Sequence, residues 1–286
     1  MKSKNFLIPD GIEYYIGNSA IKFDKLKSSI LKIYTKYNYT YIVPPIFDSL
    51  DNLLNLNSTD LDNKTGHILD SSTGNEIGVR ADITPQISKI DYQMTKGVGS
   101  SKFSYMGDIL RLSPGPFDRI NPFQTGVEYF GIINKSVDIE IIKLMIDLIY
   151  LSKQNKIIIE LGDLSFINNL LSGLELSQEY KLRLIDLINL KSKTEIKDFF
   201  NKYKLPRKKL ILLLELMDIS GDISVLSELN KLAKKYKLNL SSEVKELSSI
   251  SNSINRFSDI SEVQIDLCEL QGFSYQSGLI YSAYVP

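Results

Sequence analysis

The sequence predicts an α+β protein in which a helical segment interrupts a sheet domain. Residues 123–133, FQTGVEYFGII, and the final residues 275–286 alternate with a period of two, which is typical of strands. Residues 164–258 show only helical spacing and are rich in Leu, Lys, Ser and Glu. Strands on both sides of a helical block indicate a sheet domain, residues 1–163 and 259–286, with a helical insertion domain at 164–258.

Composition excludes several functional classes. The chain has 286 residues with 34 basic and 34 acidic side chains, so its overall charge does not attract nucleic acid. One cysteine, Cys268, and one histidine, His67, cannot build a disulfide framework or a Cys/His zinc site, and we expect no cofactor and no metal. Carboxylate sites for magnesium stay open on these grounds. The sequence start lacks a signal-peptide pattern and no later apolar run spans a bilayer, so we expect a cytoplasmic protein.

The first third of the chain predicts a helix, a short strand and a polar connection. A helix capped by Asn18 or Ser19 continues to about residue 37, with an apolar face at helical spacing formed by Phe23, Leu26, Ile30, Ile33 and Tyr37. TYIVPP, residues 40–45, predicts a strand that ends at two prolines. The polar run between residues 48 and 74 predicts a surface loop or a small hairpin. His67 lies in this run, and we interpret it as solvated rather than catalytic.

The segment EIGVRADITPQ, residues 76–86, predicts a strand followed by a helix. Thr84 is a favourable helix cap, and Pro85 suits the first turn. Asp82 and Thr84 would then point the same way from the exposed end of the strand. Two interpretations stay open here, because these side chains either bind a ligand or only cap the helix.

Residues 102–133 predict a hairpin whose second strand is polar on one face. The first strand ends at Arg111, and three prolines and a glycine make residues 113–122 an irregular loop. On the second strand Gln124, Gly126 and Glu128 share a face, with the glutamine and the glutamate about 13 Å apart. The glycine leaves room for a small molecule, and a carboxylate suits an ammonium ligand. The alternative is the solvated face of a half-exposed strand.

The rest of the chain predicts a buried strand, the helical block and two returning strands. Ser136 is expected to cap a helix that continues to residue 151. Cys268, inside a strand pattern, is interpreted as a small buried side chain rather than a nucleophile. The remaining predicted elements are a strand at 156–163, helices at 179–190, 194–203, 208–217 and 224–236, and strands at 262–273 and 275–286.

Four segments in this order resemble motifs of the histidyl-tRNA synthetase family, which has a class II aminoacyl-tRNA synthetase fold. YNYTYIVPPIFDS resembles the first class motif, which in that family builds the dimer interface. VRADITPQ resembles the segment that holds the amino group of histidine. YMGDILR with FQTGVEYFG resembles the second class motif, and QGFSYQSGLIYSAY resembles the strand that closes over the histidine side chain. The resemblance implies an antiparallel sheet flanked by helices and a histidine-binding set: Asp82, Thr84, Gln124, Glu128 and Tyr275.

The resemblance also suggests a role for each member of this set. Glu128 and Asp82 would accept hydrogen bonds from the ligand ammonium, and the threonine and the glutamine would fix its orientation. Tyr275 would pack on the imidazole or form a hydrogen bond with it. The ligand carboxylate needs a cation, for which Arg111 is the leading candidate and Arg80 a weaker one. The alternative for Arg111 is an ion pair with Glu128 or another acid.

Departures from the synthetase pattern point to a paralogue. The family's arginine before the glycine of the last motif is Gln271 here, and its two tyrosines are Tyr275 and Gln276. The loop after the first hairpin strand lacks the charged residues that would hold ATP. The third class motif and the anticodon-binding domain would lie beyond Pro286. We therefore expect a chain that neither activates histidine nor reads tRNA, similar to the regulatory subunit of ATP phosphoribosyltransferase.

That resemblance implies a non-catalytic role in the first step of histidine biosynthesis. The expected partner is the short-form catalytic subunit, in a hetero-octamer in which this chain also self-associates as a dimer. The chain would activate its partner and help it respond to histidine, without nucleic acid or membrane. Two alternatives stay open: a working or vestigial enzyme that makes an aminoacyl-adenylate, and a free-standing amino-acid-binding module.

Overall fold

The computed structural model describes residues 11–54, 64–112, 119–154, 156–257, 262–270 and 278–285. The chain divides into two compact units, Met1–Val137 and Asp138–Pro286. Both units combine helices with strands, which confirms the predicted α+β class. The predicted domain boundaries at residues 163 and 259 stay a prediction.

The first unit contains two three-stranded sheets. Its described elements are α1 (Asn18–Lys36), β1 (Thr40–Ile42), β2 (Phe47–Ser49), α2 (Leu50–Leu53), β3 (Gly66–Leu69), β4 (Glu76–Val79), α3 (Thr84–Thr95), β5 (Ser101–Asp108) and β6 (Phe123–Phe130). One sheet has the strand order β1-β5-β6, with β1 parallel to β5 and β5 antiparallel to β6. The other has the order β2-β4-β3 and is antiparallel throughout.

Helix α1 forms where helical spacing predicts it. Its buried residues are Ile30 and Tyr34, whereas Leu26, which belongs to the predicted apolar face, is 40% exposed. The buried face therefore turns toward Tyr34, whose ring the spacing pattern did not include.

The polar run after residue 48 contains a hairpin, one of the two predicted alternatives. Strands β3 and β4 pair antiparallel, and the carboxylate of Asp70 accepts hydrogen bonds from Ser72 and Thr73 in the turn between them. Gly74 adopts a φ of +73° in this turn, a conformation that favours glycine. His67 lies exposed on β3, as expected for a solvated histidine.

The buried side chain of Arg80 forms hydrogen bonds with the backbone of two other segments, at residues 44–45 and at residue 108. Arg80 is only 4% exposed. Its Nε donates to the carbonyl of Asp108 at 2.9 Å, and its Nη1 donates to the carbonyls of Pro44 and Pro45 at 2.8 and 3.2 Å. Gly107 leaves the space that Nη2 occupies, because a Cβ there would overlap it. Arg80 thus supports the backbone and is no longer a candidate for the ligand carboxylate.

The second unit is built around a four-stranded sheet. The described elements of this unit are α4 (Lys135–Ile149, which starts at the end of the first unit), a 3₁₀ turn (Tyr150–Ser152), β7 (Ile158–Asp163), α5 (Leu164–Leu171), α6 (Gln178–Asn189), α7 (Lys193–Lys202), α8 (Arg207–Met217), β8 (Ser220–Gly221), α9 (Val225–Tyr236), α10 (Ser241–Ile254), β9 (Glu262–Asp266) and β10 (Leu279–Tyr284). The strand order in the sheet is β10-β7-β9-β8, with β7 antiparallel to β10 and parallel to β9.

One continuous hydrophobic core joins this sheet to the helices. Ile159 and Leu161 of β7 are fully buried, and the core to which they belong includes side chains from every helix between α5 and α10. The carboxylate of Asp163 caps α5 by accepting the Ser165 N–H at 2.8 Å. Cys268 is fully buried, and burial raises the pKa of its thiol to about 12, so it is a small core side chain as predicted.

Candidate ligand-binding site

The β5–β6 hairpin presents the polar face that the alternation predicts. Its register pairs Gly107 with Gln124, Tyr105 with Gly126 and Phe103 with Glu128. Directly opposed residues in an antiparallel pair point to the same face. The prediction that Gln124, Gly126 and Glu128 share one face is confirmed.

Gln124 ties β6 to the start of α3. Its Oε1 accepts the Ile83 N–H at 2.9 Å, and its Nε2 donates to Asp82 Oδ1 at 2.9 Å. The same Asp82 oxygen accepts the Thr84 N–H at 3.0 Å. Both ends of the glutamine side chain therefore bond within the protein. Gln124 holds Asp82 in place rather than presenting a free amide.

The start of α3 differs from the prediction in one respect. The helix begins at Thr84, whose side chain makes no capping hydrogen bond, so its predicted role as the cap is wrong. Asp82 supplies the acceptor for this helix end instead. The Thr84 hydroxyl lies 3.0 Å from Tyr105 Oη, because the side chain turns toward the sheet.

Tyr105 is the site residue that sequence reasoning missed. Its hydroxyl donates to Glu128 Oε1 at 3.2 Å and lies 3.0 Å from the Thr84 hydroxyl. A Cβ on Gly126 would lie 2.5 Å from Tyr105 Oη. The prediction that Gly126 leaves room for a small molecule is wrong, because the tyrosine fills that space. Only the strand register, which places Tyr105 opposite Gly126, could have identified Tyr105 as a site residue.

The Glu128 carboxyl group is difficult to ionise. Its pKa is raised to about 7 by burial and by the nearby Asp82 charge, although hydrogen bonds from the hydroxyls of Thr84 and Tyr105 favour the ionised form. Burial also raises the pKa of Tyr105, which therefore stays a donor. Within the described ranges, neither Asp82 nor Glu128 takes part in an ion pair. A cation at this place would offset the burial of the Glu128 charge.

The raised pKa of Glu128 predicts that this carboxyl group contributes less stability at neutral than at acidic pH. The group titrates near 4.5 when unfolded and near 7 when folded, so ionisation favours the unfolded chain between these values. Relative to Glu128→Gln, the free energy of unfolding should fall by up to about 3 kcal/mol over this range and stay constant above it. Urea denaturation at several pH values measures this, and parallel curves for the two proteins would contradict it.

Gln124→Glu tests the link between β6 and α3. The glutamate keeps an acceptor for the Ile83 N–H but turns a second oxygen toward the Asp82 carboxylate. We expect a loss of about 1–3 kcal/mol in the free energy of unfolding at neutral pH, because a buried hydrogen bond becomes a repulsion. Acid should restore stability, since the two carboxyl groups can then share a proton. The exposed Gln93→Glu serves as the matched control, and equal effects at both positions would contradict the link.

Arg111 lies close to this network but outside the strand. The predicted strand end at Arg111 is wrong, since β5 ends at Asp108. The Arg111 Nε lies 3.4 Å from the carbonyl of Ala81, a long hydrogen bond. In the part of the chain that the structure describes, no ion pair joins Arg111 to an acid. Tyr275, with its neighbours at 271 and 276, lies outside the described residues.

Among the described residues, no cluster of three or more His, Cys, Asp or Glu side chains is arranged to bind a metal ion. No helix in these ranges combines the length and the apolar character needed to cross a membrane.

Comparison with known proteins places this chain in a family. A family model described as Histidyl-tRNA synthetase matches residues 11–286. A relative from Thioalkalivibrio sulfidiphilus, named ATP phosphoribosyltransferase regulatory subunit, is 30% identical over 285 residues, which is 99% of this chain and 72% of the relative.

Two solved structures share the fold. The first is an ATP phosphoribosyltransferase regulatory subunit/histidyl-tRNA synthetase from Bacillus halodurans, with a TM-score of 0.82 and 18% identity, covering 98% of this chain and 73% of that one. The second is the ATP phosphoribosyl transferase (HisG:HisZ) complex from Thermotoga maritima, with a TM-score of 0.68 and 19% identity, covering 91% of this chain and 86% of that one.

The fold and the polar hairpin thus define a histidyl-tRNA synthetase-like protein with a class II aminoacyl-tRNA synthetase fold. Within that class, the chain belongs to the family of ATP phosphoribosyltransferase regulatory subunits. The resemblance drawn from the four sequence motifs is confirmed.

Proposed function

We propose that this chain is the non-catalytic regulatory subunit of an ATP phosphoribosyltransferase. It activates a short-form catalytic subunit and mediates feedback by histidine in the first step of histidine biosynthesis. The names of its relatives and the HisG:HisZ complex of the Thermotoga maritima neighbour support a partnership with a catalytic subunit. We extend this to a cytoplasmic hetero-octamer in which the chain also forms a dimer with itself.

One observation carries the proposal that histidine binds here: two carboxylates lie in one hydrogen-bonded network without an ion pair among the described residues. Among the described residues, hydrogen bonds reach Asp82 Oδ1 and Glu128 Oε1. We assign the second oxygen of each carboxylate to the ligand. Histidine carries an ammonium group, which can donate to both carboxylates at once.

The other predicted residues complete this proposed site. Thr84 and Gln124 act through Tyr105 and Asp82, with which their side chains form hydrogen bonds. Arg111 provides the cation for the ligand carboxylate. Tyr275 packs on the imidazole or donates to it.

Such a pocket regulates an enzyme when its occupancy favours one arrangement of the complex. The ligand must bind the two arrangements with different free energies, and couplings of this type are typically about 1–3 kcal/mol. Feedback by histidine then follows if the occupied pocket favours the less active arrangement.

The direct experiment mixes the purified chain with a short-form catalytic subunit and measures phosphoribosyl transfer with and without histidine. We expect the chain to raise the rate and histidine to lower it again. Glu128→Gln should still activate the partner but lose most of the response to histidine, whereas Glu76→Gln, an exposed acid on β4, should behave like the wild type. No rate increase with the unaltered chain would contradict the regulatory role.

A second function keeps some support, because the matching family model is that of histidyl-tRNA synthetases. An enzyme of that type would activate histidine with ATP as an aminoacyl-adenylate. Histidine-dependent exchange of pyrophosphate into ATP separates the two functions: the regulatory subunit gives none, and a synthetase-like enzyme gives a clear signal.

A further inference from the structure

A hydrogen-bonded link joins α1 to the back of the β5–β6 hairpin. Tyr34, in the last turn of α1, is fully buried, and its hydroxyl lies 2.5 Å from Thr125 Oγ1. The Thr125 hydroxyl donates to the backbone carbonyl of Tyr105 at 3.1 Å. Because this uses the only proton of the threonine hydroxyl, Tyr34 is the donor in the 2.5 Å contact. The link therefore runs in one direction, from α1 through Thr125 to Tyr105.

We propose that Tyr34 and Thr125 are positioning residues of the ligand site and that they act through Tyr105. The proposal rests on the function proposed above for that site. Thr125 stands between Gln124 and Gly126 on β6, so its side chain lies on the opposite face from theirs. Neither positioning residue belongs to the ligand face, but both fix the strand that carries it.

Tyr105 is held from both sides of the sheet. Thr125 holds its backbone carbonyl from behind, while its hydroxyl bonds to Thr84 and Glu128 in front. The ring passes so close to Gly126 that a Cβ would lie 2.5 Å from its hydroxyl. The 3.2 Å hydrogen bond to Glu128 is longer than most O–H···O hydrogen bonds, so a small strand shift weakens it. Helix α1 thereby fixes the position of Tyr105, one of the two residues whose hydroxyls stabilise the ionised Glu128.

The test removes the link with little change of shape. Tyr34→Phe and Thr125→Val each lose one hydroxyl, whereas Thr125→Ser keeps the hydroxyl and is the conservative rescue. We expect Tyr34→Phe and Thr125→Val to raise the pKa of Glu128, because the hydrogen bond from Tyr105 weakens. A ¹³C NMR titration of labelled glutamate measures this pKa. Histidine affinity, measured by calorimetry, should fall about fivefold, which corresponds to about 1 kcal/mol. Thr125→Ser should match the wild type in both measurements.

Tyr236→Phe is the matched control, since it removes a tyrosine hydroxyl that bonds to Glu215 in the second unit. It should change neither measurement. Lower stability of Tyr34→Phe and Thr125→Val with an unchanged Glu128 pKa and unchanged histidine affinity would overturn the proposal, because the link would then be only structural. If the wild type binds no histidine, the proposed function fails, while the Glu128 pKa in the variants still decides this inference. If Tyr34→Phe does not fold, the comparison of Thr125→Val with Thr125→Ser decides it.

Discussion

Glu128→Gln should weaken the binding of histidine about 100-fold. Glutamine keeps the size of the side chain and can still accept from the Tyr105 hydroxyl, but it removes the negative charge. Hydrogen bonds to charged groups contribute about 1.5–3 kcal/mol, and a buried site without the matching charge also leaves the ligand cation uncompensated. Calorimetric titration of the purified chain with histidine, repeated with the catalytic subunit present, measures this effect.

The free energy of unfolding of Glu128→Gln shows whether weaker histidine binding comes from the lost charge or from a disturbed fold. Glu128→Gln removes a carboxyl group whose ionisation destabilises the free protein, so the variant should be at least as stable as the wild type at neutral pH. Glu76→Gln should bind histidine as the wild type does. Equal histidine affinities for the wild type and Glu128→Gln, with and without the partner, would remove Glu128 from the site.

Arg80→Met should produce the largest loss of stability among the variants discussed here. The methionine fills part of the same volume, but the carbonyls of Pro44, Pro45 and Asp108 lose their charged donor in a buried place. Because a hydrogen bond to a charged group contributes about 1.5–3 kcal/mol, we expect the free energy of unfolding to fall by at least about 3 kcal/mol. Denaturation in urea, followed by circular dichroism, measures this change.

Two further variants, Gly107→Ala and Arg119→Met, serve as comparisons for Arg80→Met. Gly107→Ala should also destabilise the protein, since the new Cβ overlaps the guanidinium group. Arg119→Met removes an exposed arginine that pairs with Glu13 on the surface, and its effect should stay below about 1 kcal/mol. A stable Arg80→Met protein with weakened histidine binding would instead show that Arg80 belongs to the ligand site.

Periodicity was enough to predict most of the elements and the polar face of β6. Alternation by two gives the side of a strand directly, so Gln124, Gly126 and Glu128 were placed on one face correctly. The helical block was recognised because its spacing differs from that of the flanking strands. Within that block the separate bounds of α5 and α10 were not predicted, nor was the two-residue strand β8, since short or serine-rich segments carry little periodic information.

The internal partners of the site could not be read from the sequence. The pairing of Tyr105 with Gly126 depends on strand register, and the hydrogen bond between Gln124 and Asp82 joins residues 42 positions apart. Arg80 looked like a ligand cation because a sequence does not show that three backbone carbonyls surround it. These contacts depend on tertiary packing, which decides whether a polar side chain faces a ligand or the protein itself.

The pKa of Glu128, measured with and without histidine, tests most directly whether this carboxyl group binds the ligand. A ¹³C NMR titration of labelled glutamate, assigned by comparison with Glu128→Gln, should give a pKa near 7 in the free protein. Saturating histidine should lower that pKa well below this value, because a bound cation favours the ionised carboxylate. A pKa that is ordinary in the free protein, or that does not move when histidine is added, would contradict the proposal that Glu128 binds the ligand.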